Sequence, residues 1–331
     1  MAEGATSRLI ESITGAWRTR AIYEGVRSGL IDRLDSQPRT AAALAGPLDL
    51  DADTARRVLR ALAVLGLCDQ VAADGFVATE LGGRLRAGVP GSLRGMAMLW
   101  GDRIWSSLET IGETLRTGTP GWGNGDFGAL HADPAESDIF SRAMAEQSEA
   151  IARAAAESVD FSGHRRVMDV GGGYGAVLIE VLRAHPGLTG LVYDLGSIAE
   201  GARRYLVEAG VGDRADFLGG DFFIDVPGGA DCLLLKYVLH DWSDEDSLRI
   251  LANCRAALEP GSALVVLERI MPERVTAADE PVVRTDLVMM PISGRERRLD
   301  EIHVLLRASG FEPDEARPLT DGCWAIESRA V

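Results

Sequence analysis

Lysine is almost missing from this chain: of its 34 basic residues only Lys236 is a lysine, and the others are arginine. A coding bias toward arginine explains the scarcity and makes the one survivor worth following. Cysteine is sparse too. Cys68, Cys232, Cys254 and Cys323 lie far apart with no CxxC pair, which argues against a disulfide framework or a zinc site. No stretch approaches the roughly 18 consecutive apolar residues of a membrane span. The opening MAEGATSRLIESITGAW has acids where a secretory leader carries positive charge. Basic charge is in deficit: 50 acids against 34 bases leave −16, which excludes the broad basic face of a nucleic-acid reader. These absences describe a cytoplasmic protein with neither membrane nor nucleic acid as partner.

What is present is material for a core. Hydrophobic residues make up 46% of 331, enough for two domains. Residues 1–95 read as helices and one hairpin. A periodic segment from Ser7 to Leu34 places Leu9, Ile13, Ala16, Trp17 and Ile22 or Tyr23 at helical spacing. A short helix follows Thr40 as N-cap, and a longer one is capped by Asp51 or Asp53 and stopped by Gly66. LCDQVAADGFVATEL then reads as two strands around Ala-Asp-Gly. Three helices and a hairpin are the order of a winged helix, usually a DNA reader. Yet 1–95 holds twelve Arg against eleven acids, a net of only +1. A dimerisation or scaffolding role fits better. Residues 96–160 read as a helical connector, broken by the loop TGTPGWGNGDFG.

From Phe161 to the end the period changes. Apolar runs RVMDV, LTGLVYDL, ADFLGG, DCLLLKYVL and ALVVLERI alternate with helical stretches, predicting an α/β domain with a doubly wound parallel sheet. Ligands of such sheets bind at the carboxyl ends of the strands. The chemically interesting residues fall there. The first strand runs into Asp169-Val-Gly171-Gly172-Gly173-Tyr174-Gly175, which fits D-x-G-x-G-x-G and also the G-x-G-x-x-A of dinucleotide enzymes. Asp194 closes the second strand, where an acid accepts ribose hydroxyls of either NAD or S-adenosylmethionine. Asp221-Phe222 follows the third strand with a carboxylate and an apolar face for an adenine edge. Lys236-Tyr-Val-Leu-His240-Asp241-Trp242-Ser243-Asp244 leaves the fourth strand and puts a histidine beside the same cleft. A nicotinamide dehydrogenase would leave Asp221, Lys236 and the HDW segment without a role.

In order and spacing, FSRAMAEQS, VMDVGGGYG, VYDL, GGDFF, LKYVLHDWSDED, LERI and GRERR resemble the S-adenosylmethionine-dependent O-methyltransferases of small aromatic molecules, over nearly the whole chain. That family includes plant caffeate-type and hydroxyindole enzymes and bacterial polyketide-tailoring enzymes. The resemblance implies a Rossmann-like methyltransferase domain behind a winged-helix-like dimerisation domain, a homodimer, and a phenolic or polycyclic acceptor. It implies that Gly171 and Gly173 lie against S-adenosyl-L-methionine, with Asp194 on the ribose and Asp221 and Phe222 at the adenine. Lys236 and Ser148 would also touch this cofactor. Phe140 and Met144 share a helical face at i, i+4 and would sandwich the acceptor, with Asp241 and Trp105 beside it.

A phenol with pKa about 10 needs a base at pH 7, and an imidazole near 6.5 is the natural one. His240 is the candidate, and the resemblance nominates Glu268 and Glu296 as the acids that orient it. Some bacterial relatives lack this histidine, so its presence favours O-methyl transfer over N- or C-methylation. No acidic cluster in the sequence suggests a metal site. Tyr174 stands where smaller or polar residues are common in the family.

Overall fold

The computed structural model describes residues 2–89, 91–122, 131 and 133–331. The chain divides into two compact units, 1–106 and 107–331. The division falls inside the stretch expected to be a connector.

In the first unit the long periodic segment forms three helices: α1 (Ala2–Thr14), α2 (Ala16–Arg27) and α3 (Leu30–Arg33), broken at Gly15 and Gly29. Thr40 caps α4 (Ala41–Ala45) through its side chain, and Asp51 caps α5 (Ala52–Val64) by accepting the Thr54 N–H at 2.8 Å. β1 (Cys68–Ala72) and β2 (Gly75–Ala78) form an antiparallel hairpin. Val26, Leu30, Ile31, Leu44, Leu59, Leu62 and Phe76 are buried together. Leu9, Ile10, Ile13 and Trp17 instead remain 60%, 55%, 71% and 40% exposed, so an apolar stripe running along α1 to the start of α2 is uncovered in the single chain. The unit continues with α6 (Glu80–Gly83) and α7 (Arg94–Gly101), then α8 (Arg103–Leu108) reaches the division.

The second unit opens with α9 (Ile111–Thr117) and the 25-residue α10 (Pro134–Ser158). Of the loop TGTPGWGNGDFG (117–128) expected between them, residues 123–128 lie outside the described residues. Then come β3 (Arg166–Val170), α11 (Ala176–Ala184), β4 (Thr189–Asp194), α12 (Ala199–Glu208), β5 (Ala215–Gly219), β6 (Cys232–Lys236), α13 (Asp244–Ala256), β7 (Ala263–Arg269), α14 (Glu280–Met289), α15 (Leu299–Ala308), β8 (Phe311–Pro318) and β9 (Cys323–Ala330). The sheet order is β5-β4-β3-β6-β7-β9-β8. Alternate strand residues feed two cores. Val167, Val192, Leu234 and Val265 pack with α10, α11 and α12, whereas Met168, Leu191, Leu233 and Val266 pack with α13 and α15. The strand order reverses between β3 and β6, and the glycine loop lies at that switch point.

Five strands are parallel as expected, but β7 pairs antiparallel with β9, and β9 with β8. Asp321 and Gly322 both take positive φ (52° and 73°), the geometry of a type I′ hairpin turn. The Asp-Gly dipeptide was the available signal. Pro313 and Pro318 fall in β8, the edge strand, where missing N–H donors are tolerated. Among the described residues no helix is long and apolar enough to cross a membrane.

Candidate active site

Both halves of the expected site assemble in the second unit at the carboxyl ends of β3 to β7. After β3, Gly171 takes φ +68°, and a Cβ there would stand 2.9 Å from Val238 Cγ2 and 3.3 Å from Phe222 Cε1. Only glycine lets the strand end pass so close to those side chains. Asp194 at the end of β4 accepts the Gly173 N–H at 2.7 Å and the Leu195 N–H at 2.6 Å. Burial nevertheless raises its carboxyl pKa. Asp221 accepts the Phe223 N–H at 2.8 Å, and Phe222 joins Phe223 and Trp242 with ring centroids 5.1 and 6.1 Å away. At the end of β6, the Lys236 ammonium donates to Ser148 Oγ at 2.6 Å, and Ser148 donates on to the Met144 carbonyl at 2.5 Å. Burial pulls Lys236 down to about 8. Asp169, the acid of the glycine motif, is buried, and among the described residues neither carboxylate oxygen has a well-formed hydrogen bond. Burial pushes it up to about 7, against the pull of Lys236.

The residues present fit S-adenosylmethionine. A closely packed glycine turn, an acid at each of two strand ends and a buried carboxylate with unused acceptors are what a ribosyl, cationic ligand requires.

The catalytic candidates meet at His240. Its Nδ1 lies 3.1 Å from Glu296 Oε1 and 3.8 Å from Glu268 Oε2, and its backbone N–H donates to Glu268 Oε1 at 3.3 Å. The other ring nitrogen, Nε2, lies 3.5 Å from Asp241 Oδ1. Burial by itself would lower the imidazole pKa, but the carboxylates of Glu268, Glu296 and Asp241 outweigh it and push the group up to about 9. Burial pushes Asp241 up to about 6 and raises Glu268 as well. His240, Asp241 and Glu268 therefore titrate as a coupled group. The ligand atoms of His240, Glu268 and Glu296 lie within 4.8 Å of one another, the one grouping among the described residues with metal-ligand spacing.

The GRERR segment does more than supply Glu296. A Cβ on Gly294 would stand 2.3 Å from the His240 carbonyl oxygen, and the Arg295 N–H donates to that oxygen at 2.8 Å. Arg297, fully buried, donates to the Leu239 and Trp242 carbonyls at 2.6 and 2.8 Å and to Asp244 Oδ1 at 2.9 Å. It clamps both sides of the histidine turn. Sequence reasoning missed Arg297, whose only signal was its place in the segment.

Phe140 and Met144 lie half-buried on α10, upstream of Ser148. Tyr174 links that helix to the glycine loop: its hydroxyl donates to Asp138 Oδ1 at 2.9 Å, while Arg142 Nε holds Oδ2 at 2.7 Å. Trp105 belongs to the first unit, where the Arg20 guanidinium carbon lies 5.4 Å from its ring centroid.

Comparison with known proteins places the chain among methyltransferases. Residues 109–312 match the family model of the O-methyltransferase domain. The chain is 34% identical over 333 residues to phenazine O-methyltransferase PhzM of Lysobacter antibioticus, covering 98% of this chain and 96% of the relative. It is 36% identical over 320 residues to mitomycin biosynthesis 6-O-methyltransferase of Streptomyces lavendulae, covering 94% and 90%. The crystal structure of LaPhzM superposes with a TM-score of 0.93 at 33% identity, covering 99% of each chain. The chain belongs to the S-adenosylmethionine-dependent O-methyltransferase family.

Proposed function

We propose that the protein methylates a phenolic hydroxyl of a small aromatic natural product, with His240 as general base. The relatives' names, phenazine and mitomycin O-methyltransferases, support an aromatic acceptor. The single observation that carries the reading is the imidazole whose Nδ1 is engaged by carboxylates while Nε2 is left beside Asp241.

Gly171, Gly173, Asp194, Asp221, Phe222, Lys236 and Ser148 would hold the cofactor, which when bound would supply an electrophilic methyl group on a sulfonium. His240 Nε2 takes the proton of the acceptor hydroxyl and leaves its oxygen as the nucleophile. An imidazole near 9 is a base well matched to a phenol near 10, so the transfer is close to isoenergetic. The same shift leaves only about one histidine in a hundred neutral at pH 7. Glu296 and Glu268 hold the ring and stabilise the imidazolium that forms. Asp241 orients the hydroxyl, and Phe140 and Met144 line the aromatic body. The uncovered stripe Leu9, Ile10, Ile13 and Trp17 supports a homodimer, which light scattering on the purified protein would test.

The test is calorimetric titration with S-adenosylhomocysteine and NAD in parallel, then turnover of phenolic acceptors with labelled methyl donor. One S-adenosylhomocysteine bound per chain, no NAD, and O-methylated product resistant to EDTA are expected. His240→Ala should bind S-adenosylhomocysteine normally and lose about 10²-fold or more in turnover. Wild-type turnover in that variant, or an N-methylated product, would overturn the reading.

A further inference from the structure

Tyr237 has no part in the chemistry above, yet its ring stacks on His240. It follows the last residue of β6 with φ +54°, a left-handed conformation uncommon for a bulky side chain. Its N–H donates to the Leu267 carbonyl at 3.0 Å, so the unusual turn is pinned to β7 immediately before Glu268. The turn brings the Tyr237 ring against the imidazole, with centroids 5.2 Å apart and planes inclined by 24°. Two cations hold the phenol ring: Lys236 Nζ and Arg269 Cζ each lie 4.4 Å from its centroid. Arg269 is buried and forms no ion pair among the described residues, so this ring is a principal partner of its charge. Among the described residues the buried Tyr237 hydroxyl meets no nitrogen or oxygen partner, only the weakly bonding Cys323 thiol, which leaves the ring as the working part.

We infer that Tyr237 is a positioning residue whose ring, fixed by Lys236 and Arg269, holds the His240 imidazole in the plane that keeps Nδ1 on Glu296 and Nε2 facing the acceptor. The inference rests on the reading of His240 as base. A histidine held only by carboxylates at 3.1 and 3.8 Å could tilt about those contacts. A stacked ring removes that freedom, and displacements of about 1 Å cost up to 10²-fold in rate.

The experiment compares Tyr237→Phe, Tyr237→Leu, Tyr237→Met and His240→Ala for kcat, acceptor KM, S-adenosylhomocysteine affinity, Tm and the pH profile of kcat. Phenylalanine keeps the ring and should keep the wild-type kcat and pH profile. The two ringless variants should lose about 10- to 100-fold in kcat, keep their S-adenosylhomocysteine affinity and shift the acid limb of the profile. A merely structural tyrosine would lower Tm in these variants and leave the profile in place. Wild-type kcat and profile in folded Tyr237→Leu or Tyr237→Met would overturn the inference, as would a large loss of kcat in Tyr237→Phe. Failure of both ringless variants to fold would assign the ring to the core instead, against the inference. If His240→Ala turns over normally, the base reading fails. If it is inactive while the ringless variants are normal, only the positioning role of Tyr237 fails.

Discussion

Replacing Tyr174 by phenylalanine removes one oxygen and with it the bond that ties the glycine loop to α10. The phenol donates to Asp138 Oδ1 at 2.9 Å, and a hydrogen bond to a charged group contributes about 1.5–3 kcal/mol. Two features move the expectation to the low end. Asp138 is 37% exposed, so solvent replaces part of the bond, and it keeps Arg142 at 2.7 Å and Arg204 at 3.6 Å. A loss of about 1–1.5 kcal/mol follows, which for a unit of this size lowers Tm by roughly 2–6 °C. Function should respond in a particular direction. Tyr174 lies between Gly173 and Gly175, while α10 carries Phe140, Met144 and Ser148. Loosening the link frees the acceptor-lining helix more than the glycine turn, which Asp194 still holds at 2.7 Å. Acceptor KM should therefore rise several-fold, up to about tenfold if the whole loss is felt in binding. S-adenosylhomocysteine affinity should change less. Thermal melts and steady-state kinetics on the purified variant measure both. An unchanged Tm with an unchanged acceptor KM would refute the link, and a change confined to cofactor affinity would refute its direction.

Titration of His240 gives a second expectation. The neutral imidazole is the active form, so kcat/KM with a phenolic acceptor should climb from pH 6.5 and level near about 9, and the limb should vanish in His240→Gln. A flat profile over that range would contradict it. The stability sign is the same for every raised group. Folded His240 binds its proton more tightly than the unfolded chain, so its contribution is complete below about 6.5 and lost as pH rises through about 9. Asp169, raised to about 7, also makes the fold less stable as pH rises, and Tm measured from pH 6 to 9 should decline. Gly171→Ala combines a positive-φ penalty of about 1–2 kcal/mol with a Cβ 2.9 Å from Val238, and calorimetry should show S-adenosylhomocysteine binding weakened about tenfold or more. Arg297→Ala strands the Trp242 carbonyl at about 1–3 kcal/mol and leaves the Leu239 carbonyl only its longer bonds from the Trp242 N–H and Ser247 Oγ, both 3.3 Å, so Tm and kcat should both fall while residual cofactor affinity survives.

Much of this molecule was legible in the linear chain because its signals are local. Thr40 and Asp51 capped the helices they precede, since a cap depends on the next three residues only. The five parallel strands were readable as apolar runs, and the glycine string after β3 needed no tertiary knowledge. The Asp-Gly turn joining β8 to β9 was equally local and was passed over, because strands alternating with helices suggested parallel pairing throughout. The apolar periodicity of Ser7 to Leu34 was also read correctly as helical, but which apolar positions would be covered was not local information. Tyr23, Val26, Leu30 and Ile31 are buried, whereas Leu9 and Ile13 are not.

What only the tertiary structure decided is the company each residue keeps. Spacing could not bring Glu268 and Glu296 to His240 across 28 and 56 residues, and family resemblance alone nominated them. Tyr237, Arg269 and Arg297 lie inside quoted motifs but nothing there marked their roles, and Asp138 lay outside every motif, because their work is done across strand ends and between helices rather than along the chain. The sequence by itself determined the elements, the strand ends and the types of group available there. The fold determined the charges, by burying His240, Asp241 and Glu268 together where water would otherwise have kept each near its ordinary pKa.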